Sequence, residues 1–346
     1  MKPKLLFICK QRISTYGKSF GLVNSATFVA RTMIQHGMDA KVIMVVDAND
    51  IDREVTKYNP THVLIEALWV TADKFNEILS LPRHQNRQWI VRIHSKAPFI
   101  ANEGIAFPWL VEYKDLQEIY PNFHVSCNSK EFNNSLRKVL RNKPIYLPNI
   151  YNPDCYVHEF TEDQCHKQNT INIGCFGSVR PMKNHLNQAL AAIRFADEMG
   201  LHLKFHINSD RAEQNGDQTI KNLRALFSEV SHELVEHPWM DHRCFVKLVR
   251  TMDLGMQVSL TESFNIVAAD FVFCGIPIVV SPEIDWMPWF AKADPNSVKS
   301  MVRHLKVAYY GQLIALESYS CYKLASWNYK STKIWLKAIN FKIKCS

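Results

Sequence analysis

The sequence predicts two α/β domains, each a doubly wound parallel sheet. Three observations carry this. Strand-like and helix-like segments alternate along most of the 346 residues. The alternation breaks once, at Leu147-Pro-Asn-Ile-Tyr-Asn-Pro153 and the polar stretch 154–169, and then restarts. The length also suits two domains of roughly 100–200 residues each. Domains are therefore expected at 1–150 and from 151 on. Two such Rossmann-like domains facing each other leave a cleft at the carboxyl ends of their strands, where folds of this kind bind ligands.

Each element follows from its local pattern. An apolar run at 4–9 predicts a buried strand, followed by a polar loop with Gly17 and Gly21. The segment 24–37 reads as a helix, with Asn24 as its cap and Gly37 as its stop. Strands follow at 41–46 and 61–65, a helix at 71–81, and strands at 89–93 and 123–127. A helix at 129–140 and a short strand at 144–147 close the first half. After the break, strands are expected at 171–176, 201–207, 254–260 and 276–280. Helices are expected at 184–199, 217–230, 264–274, 297–309 and 320–339.

Composition excludes several classes. With 47% hydrophobic and 21% charged residues, the chain is globular rather than disordered. A membrane span needs roughly 18 apolar residues, and the best stretch, 266–280, is interrupted by Asp270, Gly275 and Pro277. The five apolar residues before Lys10 make a strand, not a signal-peptide core. Nine scattered cysteines argue against a disulfide framework and for a reducing, cytoplasmic setting. Charge is uneven. The chain carries a net +8, and residues 1–150 hold 20 Lys and Arg against 13 Asp and Glu. The other 196 residues hold 21 against 20. The first half is thus expected to attract a polyanion (nucleic acid, an acidic membrane surface or a phosphorylated substrate), unless it is simply a solvated basic face.

Four segments are candidates for chemistry. Gly17-Lys18-Ser19 follows the first strand, but a phosphate loop needs glycine where Arg12 stands, and the dinucleotide fingerprint fails too. Gly17 remains a candidate because its loop joins the first strand to the first helix. In Gly174-Cys-Phe-Gly-Ser-Val-Arg-Pro-Met-Lys-Asn184, a strand ends at glycines and a helix starts near Asn184, read as its cap. Arg180 and Lys183 lie between them, a forked guanidinium and a flexible ammonium suited to a diphosphate. A third segment runs from Leu254 to Val280. Its strand delivers Glu262 to a carboxyl end, and Asp270 follows eight residues later in an apolar helix, a costly place for a carboxylate that nothing binds. On one helix those two acids would lie within about 80° of each other and face one ligand. His94 closes the predicted strand 89–93. Cys155, His158, Cys165 and His166 suggest zinc, yet the adjacent Cys165-His166 pair is awkward for one tetrahedral ion.

Together, the second and third segments resemble the retaining GT-B glycosyltransferases with an E-x7-E motif, the family 4-like enzymes that use nucleotide-diphosphate sugars. Glu262-x7-Asp270 followed by Gly275-Ile-Pro277-Ile-Val fills that motif, and Gly177 through Asn184 resembles the diphosphate-binding loop. Leu147-Pro148-Asn149 resembles the end of the family's first domain, and the last helix, about 322–346, the one that crosses back to it from a donor domain at 151–321.

The resemblance implies a metal-independent, retaining transferase. Arg180 and Lys183 would hold the donor diphosphate, with Gly177 and Ser178 in the same loop. Glu262 would contact the sugar hydroxyls and Asp270 the ribose. Ser263, Phe264 and Asn265 would meet phosphate or sugar through their amides. His94, with the Gly17 loop, would line the sugar and acceptor side. No cofactor is expected beyond the nucleotide sugar itself, a UDP-sugar by preference. Beside the charge split, this points to DNA as acceptor, a hydroxymethylated base of the kind phages make. Trp69, Trp89, Trp109 and Tyr113 would hold the flipped base, and Arg87, Arg92 and Lys96 would contact phosphates. Alternatives are glycolipid or surface-polysaccharide synthesis at an anionic membrane, and a non-catalytic GT-B-like nucleic-acid-binding protein.

Overall fold

The computed structural model describes residues 2–11, 20–101, 104–154 and 169–340. Gly17 and the Cys155, His158, Cys165 and His166 set lie outside the described residues. The chain divides into two compact units, Met1–Asn152 with Trp327–Ser346, and Pro153–Ser326.

The first unit contains β1 (Lys4–Lys10), α1 (Phe20–Gln35), β2 (Asp39–Val45), α2 (Asp50–Tyr58), β3 (His62–Glu66) and α3 (Ala72–Leu79). It continues with β4 (Gln88–Ile93), α4 (Ala97–Ile100), α5 (Ala106–Ile119), β5 (Phe123–Cys127), α6 (Lys130–Leu136) and β6 (Ile145–Tyr146). The strands pair in parallel in the order β2-β1-β3-β4-β5-β6. Leu5 to Cys9 of β1 are all buried, as expected of a strand covered on both faces. Trp89, Phe75, Tyr113 and Phe123 fill the core on one side of the sheet, with Trp69 and Trp109 packed against it. This corrects the expected base cage: Trp89 and Tyr113 are fully buried, and all four rings serve the core. Asn24 also departs from expectation. It lies inside α1 and does not cap it.

The second unit contains β7 (Thr170–Gly174), α7 (His185–Met199), β8 (His202–Asn208), α8 (Gly216–Ser228) and β9 (Glu233–His237). Then come α9 (His242–Val249), β10 (Leu254–Gln257), α10 (Ile266–Phe273), β11 (Ile278–Val280) and α11 (Val298–Gly311). The last helix, α12 (Leu316–Asn340), contributes its second part, from Trp327, to the first unit. There Trp335 is buried and donates its indole N–H to Pro148 O at 2.7 Å. No helix of the described residues is long and apolar enough to cross a membrane.

The order β11-β10-β7-β8-β9 is all parallel. The chain reverses its direction of strand addition between β7 and β10, the crevice where open α/β sheets bind ligands. Gly174 and Gly255 face each other in register across that junction. A Cβ on Gly255 would stand 2.6 Å from the Phe271 ring, and one on Gly174 would stand 2.9 Å from it. Two glycines therefore let α10 lie close against the sheet.

Candidate donor site at the β7 and β10 carboxyl ends

Two loops build the site, one after β7 and one after β10. The first turns at Gly177, whose φ of +109° suits glycine. The Gly177 N–H donates to Asn208 Oδ1 at 3.0 Å. Ser178 is buried, and Arg180 precedes a single 3-10 turn, Pro181–Lys183. Arg180 Nη1 lies 3.3 Å from Glu213 Oε2, and Arg211 holds the other oxygen of that carboxylate at 2.8 Å.

Side-chain amides sew the two loops together. Asn184 donates to Val258 O at 3.1 Å and Pro295 O at 2.8 Å. Gln188 donates to Lys183 O at 2.7 Å and accepts from Val258 N–H at 2.8 Å. Gln257 donates to Phe176 O at 2.8 Å and accepts from Asn265 at 2.8 Å. Asn265 then caps α10, its Oδ1 accepting from Ala268 N–H at 2.8 Å. Trp286 fixes the same turn by donating to Phe264 O at 2.8 Å. Such a network ties the two loops together, because Asn184, Gln188 and Gln257 each make a hydrogen bond to the other loop.

Within this frame Lys183 Nζ donates to Glu262 Oε1. The two side chains are 11% and 10% exposed, so the ion pair is largely withdrawn from water. Ser263, half-buried, and Phe264, buried, continue the loop toward Asn265. The structure thus brings Gly177, Ser178, Arg180, Lys183, Glu262, Ser263, Phe264 and Asn265 to two neighbouring loops.

Three expectations need correction. Glu262 is not on the helix with Asp270, because α10 begins at Ile266, so their spacing does not aim them at one ligand. Glu262 turns instead to Lys183. Asp270 is 1% exposed, and His242 Nε2, on α9, lies 2.7 Å from its Oδ1. What offsets the burial of that carboxylate includes a histidine of this same chain. Asn184 occupies the cap position of α7 but makes no capping bond, since its φ of +58° turns the side chain to the neighbouring loop.

His94 belongs to the first unit, just past β4. Its Nε2 bonds to Glu66, the last residue of β3, and Arg92 Nη1 lies 3.1 Å from the same carboxylate oxygen. Burial pushes the Glu66 carboxyl up, but the charges of Arg92 and His94 outweigh it and hold the group below its ordinary range. Burial, then the Arg92 charge, pull the His94 imidazole below its ordinary value against the pull of Glu66. Arg92 is itself fully buried and Lys96 only 7% exposed, so neither is an open phosphate contact. The chain also carries one Asp-x-Asp pair, Asp50-Ile51-Asp52. It sits on α2, with Asp50 bridged to Arg53 at 2.8 Å and Asp52 to Arg83 at 2.7 Å.

Sequence reading missed Glu66, Asn208, Glu213, His242, Gln188 and Gln257. Glu66 carried a usable signal, since it ends a strand as His94 nearly does. The others are recruited by packing.

No family model matches the sequence, and no curated protein matches it. Solved structures do. Apo OtsA superposes with a TM-score of 0.68 at 8% identity, over 98% of this chain and 100% of that one. A UDP-forming α,α-trehalose-phosphate synthase from Burkholderia xenovorans, in complex with glucose-6-phosphate, gives 0.64 at 10% identity, over 98% and 100%. Anabaena HepE in complex with UDP gives 0.64 at 13% identity, over 97% and 98%. The chain has the GT-B fold. At these identities the likeness concerns architecture, and in this GT-B chain the site stands on its own residues.

Proposed function

We propose that this chain is a glycosyltransferase whose second unit binds a nucleotide-diphosphate sugar, a UDP-sugar by preference. The observation that carries the reading is the Lys183–Glu262 pair beside Arg180, at the strand-order reversal between β7 and β10. UDP in HepE, a protein of the same fold, supports the choice of nucleotide.

The chemistry follows from the charges. Arg180 and Lys183 neutralise the departing diphosphate, and preorganised charge of this kind lowers the barrier without a metal. Glu262 holds the Lys183 ammonium. A diphosphate arriving at Lys183 displaces Glu262, whose carboxylate is then available to the sugar hydroxyls. Glu262 acts as a sugar anchor, and the configuration is retained by attack on the same face, assisted by the leaving phosphate. Buried on α10 against His242, Asp270 reaches the ribose only if that histidine gives way.

The acceptor reading rests on charge. Residues 1–150 carry nearly all of the net positive charge, which suits an anionic acceptor bearing a hydroxyl, with His94 on the acceptor side. Glucose-6-phosphate in the Burkholderia synthase makes a sugar phosphate one such acceptor. DNA with hydroxymethylated bases is another, now without its aromatic cage.

Calorimetry with UDP, then release of UDP from a panel of UDP-sugars in water, tests the donor half. No heat with UDP and no hydrolysis of any donor would refute it. Labelled transfer into sugar phosphates, hydroxymethylated DNA and anionic liposomes at fixed ionic strength then sorts the acceptors.

A further inference from the structure

His185 is the first residue of α7, two positions after Lys183, and is 1% exposed. Neither of its ring nitrogens has a hydrogen-bond partner among the described residues. That contrasts with Asn184 and Gln188, whose side chains each make two hydrogen bonds. The orphaned atoms nearby are also grouped. Ser259 Oγ and Thr261 Oγ1 follow β10, Ser281 Oγ follows β11, and all three are buried without a partner. Val258, next to Ser259, is the residue that Asn184 and Gln188 hold.

Buried polar atoms in folded proteins are almost always satisfied, so four orphaned side chains at one end of one sheet indicate a partner from outside the chain. The first amides of a 15-residue helix open on the same place. An apolar side chain would fill the His185 position without this unfavourable desolvation.

We infer that His185 is a donor-binding residue, whose neutral imidazole gives an N–H to the diphosphate that Arg180 and Lys183 hold by charge. This rests on the donor-site reading and adds a residue to it. Burial, then the charges of Lys183 and Arg180, push the imidazole down to about 3. Near neutral pH it therefore has one donor and one acceptor nitrogen. The N–H suits a phosphate oxygen, and the acceptor nitrogen suits a hydroxyl, with those of Ser259, Thr261 and Ser281 as further polar partners for the ligand. A second lysine here would add charge repulsion to the site; a neutral donor does not.

The test compares UDP and inorganic pyrophosphate affinity in wild type, Lys183→Ala, His185→Phe and His185→Gln. His185→Phe should melt no lower than wild type, because it removes orphaned atoms, and should bind UDP about 10-fold more weakly. His185→Gln, which keeps a donor and an acceptor, should recover much of the loss. In wild-type protein with labelled imidazole nitrogens, UDP should shift the His185 signals whether or not the variants fold. Unchanged His185 signals at saturating UDP, or a folded His185→Phe with wild-type affinity, would overturn the inference. If Lys183→Ala weakens binding while His185→Phe does not, the donor site stands and His185 leaves it. If wild type binds neither probe, the donor-site reading falls, and this inference falls with it.

Discussion

Lys183 and Glu262, 79 residues apart in sequence, share a hydrogen bond at the carboxyl ends of two neighbouring strands. On the proposed donor-site reading, a diphosphate would compete with that carboxylate for the Lys183 ammonium. Competition of this kind has a signature. Lys183→Ala should weaken UDP binding by about 1.5–3 kcal/mol, roughly 10- to 150-fold. Glu262→Gln should do the reverse for bare UDP, tightening it a few-fold by releasing Lys183, while slowing turnover of the sugar donor. Calorimetry and donor hydrolysis on the same two variants check both signs.

Asp270 and His242 form the second pairing that matters. Removing the imidazole leaves a buried carboxylate short of a partner, so His242→Ala should lower stability by about 2–3 kcal/mol. Urea denaturation gives that figure, and UDP affinity measured alongside reports the ribose role. A large stability loss with unchanged affinity would make Asp270 a support of α10 rather than a ligand contact.

Gly255→Ala tests how closely α10 must approach. The new methyl would meet Phe271 at 2.6 Å and Ile278 at 2.9 Å, both within the packed junction of helix and sheet. Overpacking there should cost about 1–3 kcal/mol and displace the Asn265 turn. A fall in melting temperature together with weaker UDP binding is the expected result.

Metal removal should leave the reaction intact. On the proposed reading Arg180 and Lys183 would supply the charge that a cation otherwise brings, and the lone Asp-x-Asp pair, on α2, is bridged to Arg53 and Arg83. Donor hydrolysis should survive EDTA. Loss of activity restored by magnesium or manganese would contradict this.

Acid should unfold the chain early, through its histidines. Burial pushes His62 down to about 4 and His206 to about 3. Burial reinforced by His62 takes His124 to about 4, and burial with Lys183 and Arg180 takes His185 to about 3. Each folded-state value lies below the unfolded value near 6.5, so the unfolded chain binds more protons in between. Stability is therefore complete above about pH 6.5 and falls as pH drops from there toward 3 to 4. By pH 5 each group should cost on the order of 1–2 kcal/mol. Urea midpoints at pH 7.5, 6 and 5, at constant slope, measure it.

Most of the strands were readable because a parallel strand buried on both faces is written as a near-continuous apolar run, as at Leu5–Cys9 of β1. Among the elements that were missed, which include α2 and α5, β9 and α9 lack such a local mark. β9 is an edge strand, Glu-Leu-Val-Glu-His, with no fully buried residue. α9 is short and announced only by Asp241, whose carboxylate accepts from Cys244 N–H at 3.0 Å. The loops after β7 and β10 were legible as well, since glycines, cations and a helix start stand close together in sequence.

By itself, then, the sequence determined two α/β units, the place of most of their strands, and which loops hold Arg180, Lys183 and Glu262. Only the tertiary structure decided the partners. It set Glu262 on Lys183 rather than beside Asp270, covered Asp270 with His242, put Arg92, Trp89 and Tyr113 in the interior of the first unit, and packed Trp69 and Trp109 against that core. The physical reason is range. Apolar periodicity and turn chemistry act over a few residues and are visible in any window of sequence. Which loop lies against which depends on strand order, and the crossing that places β10 beside β7 is the summed result of packing across the whole unit.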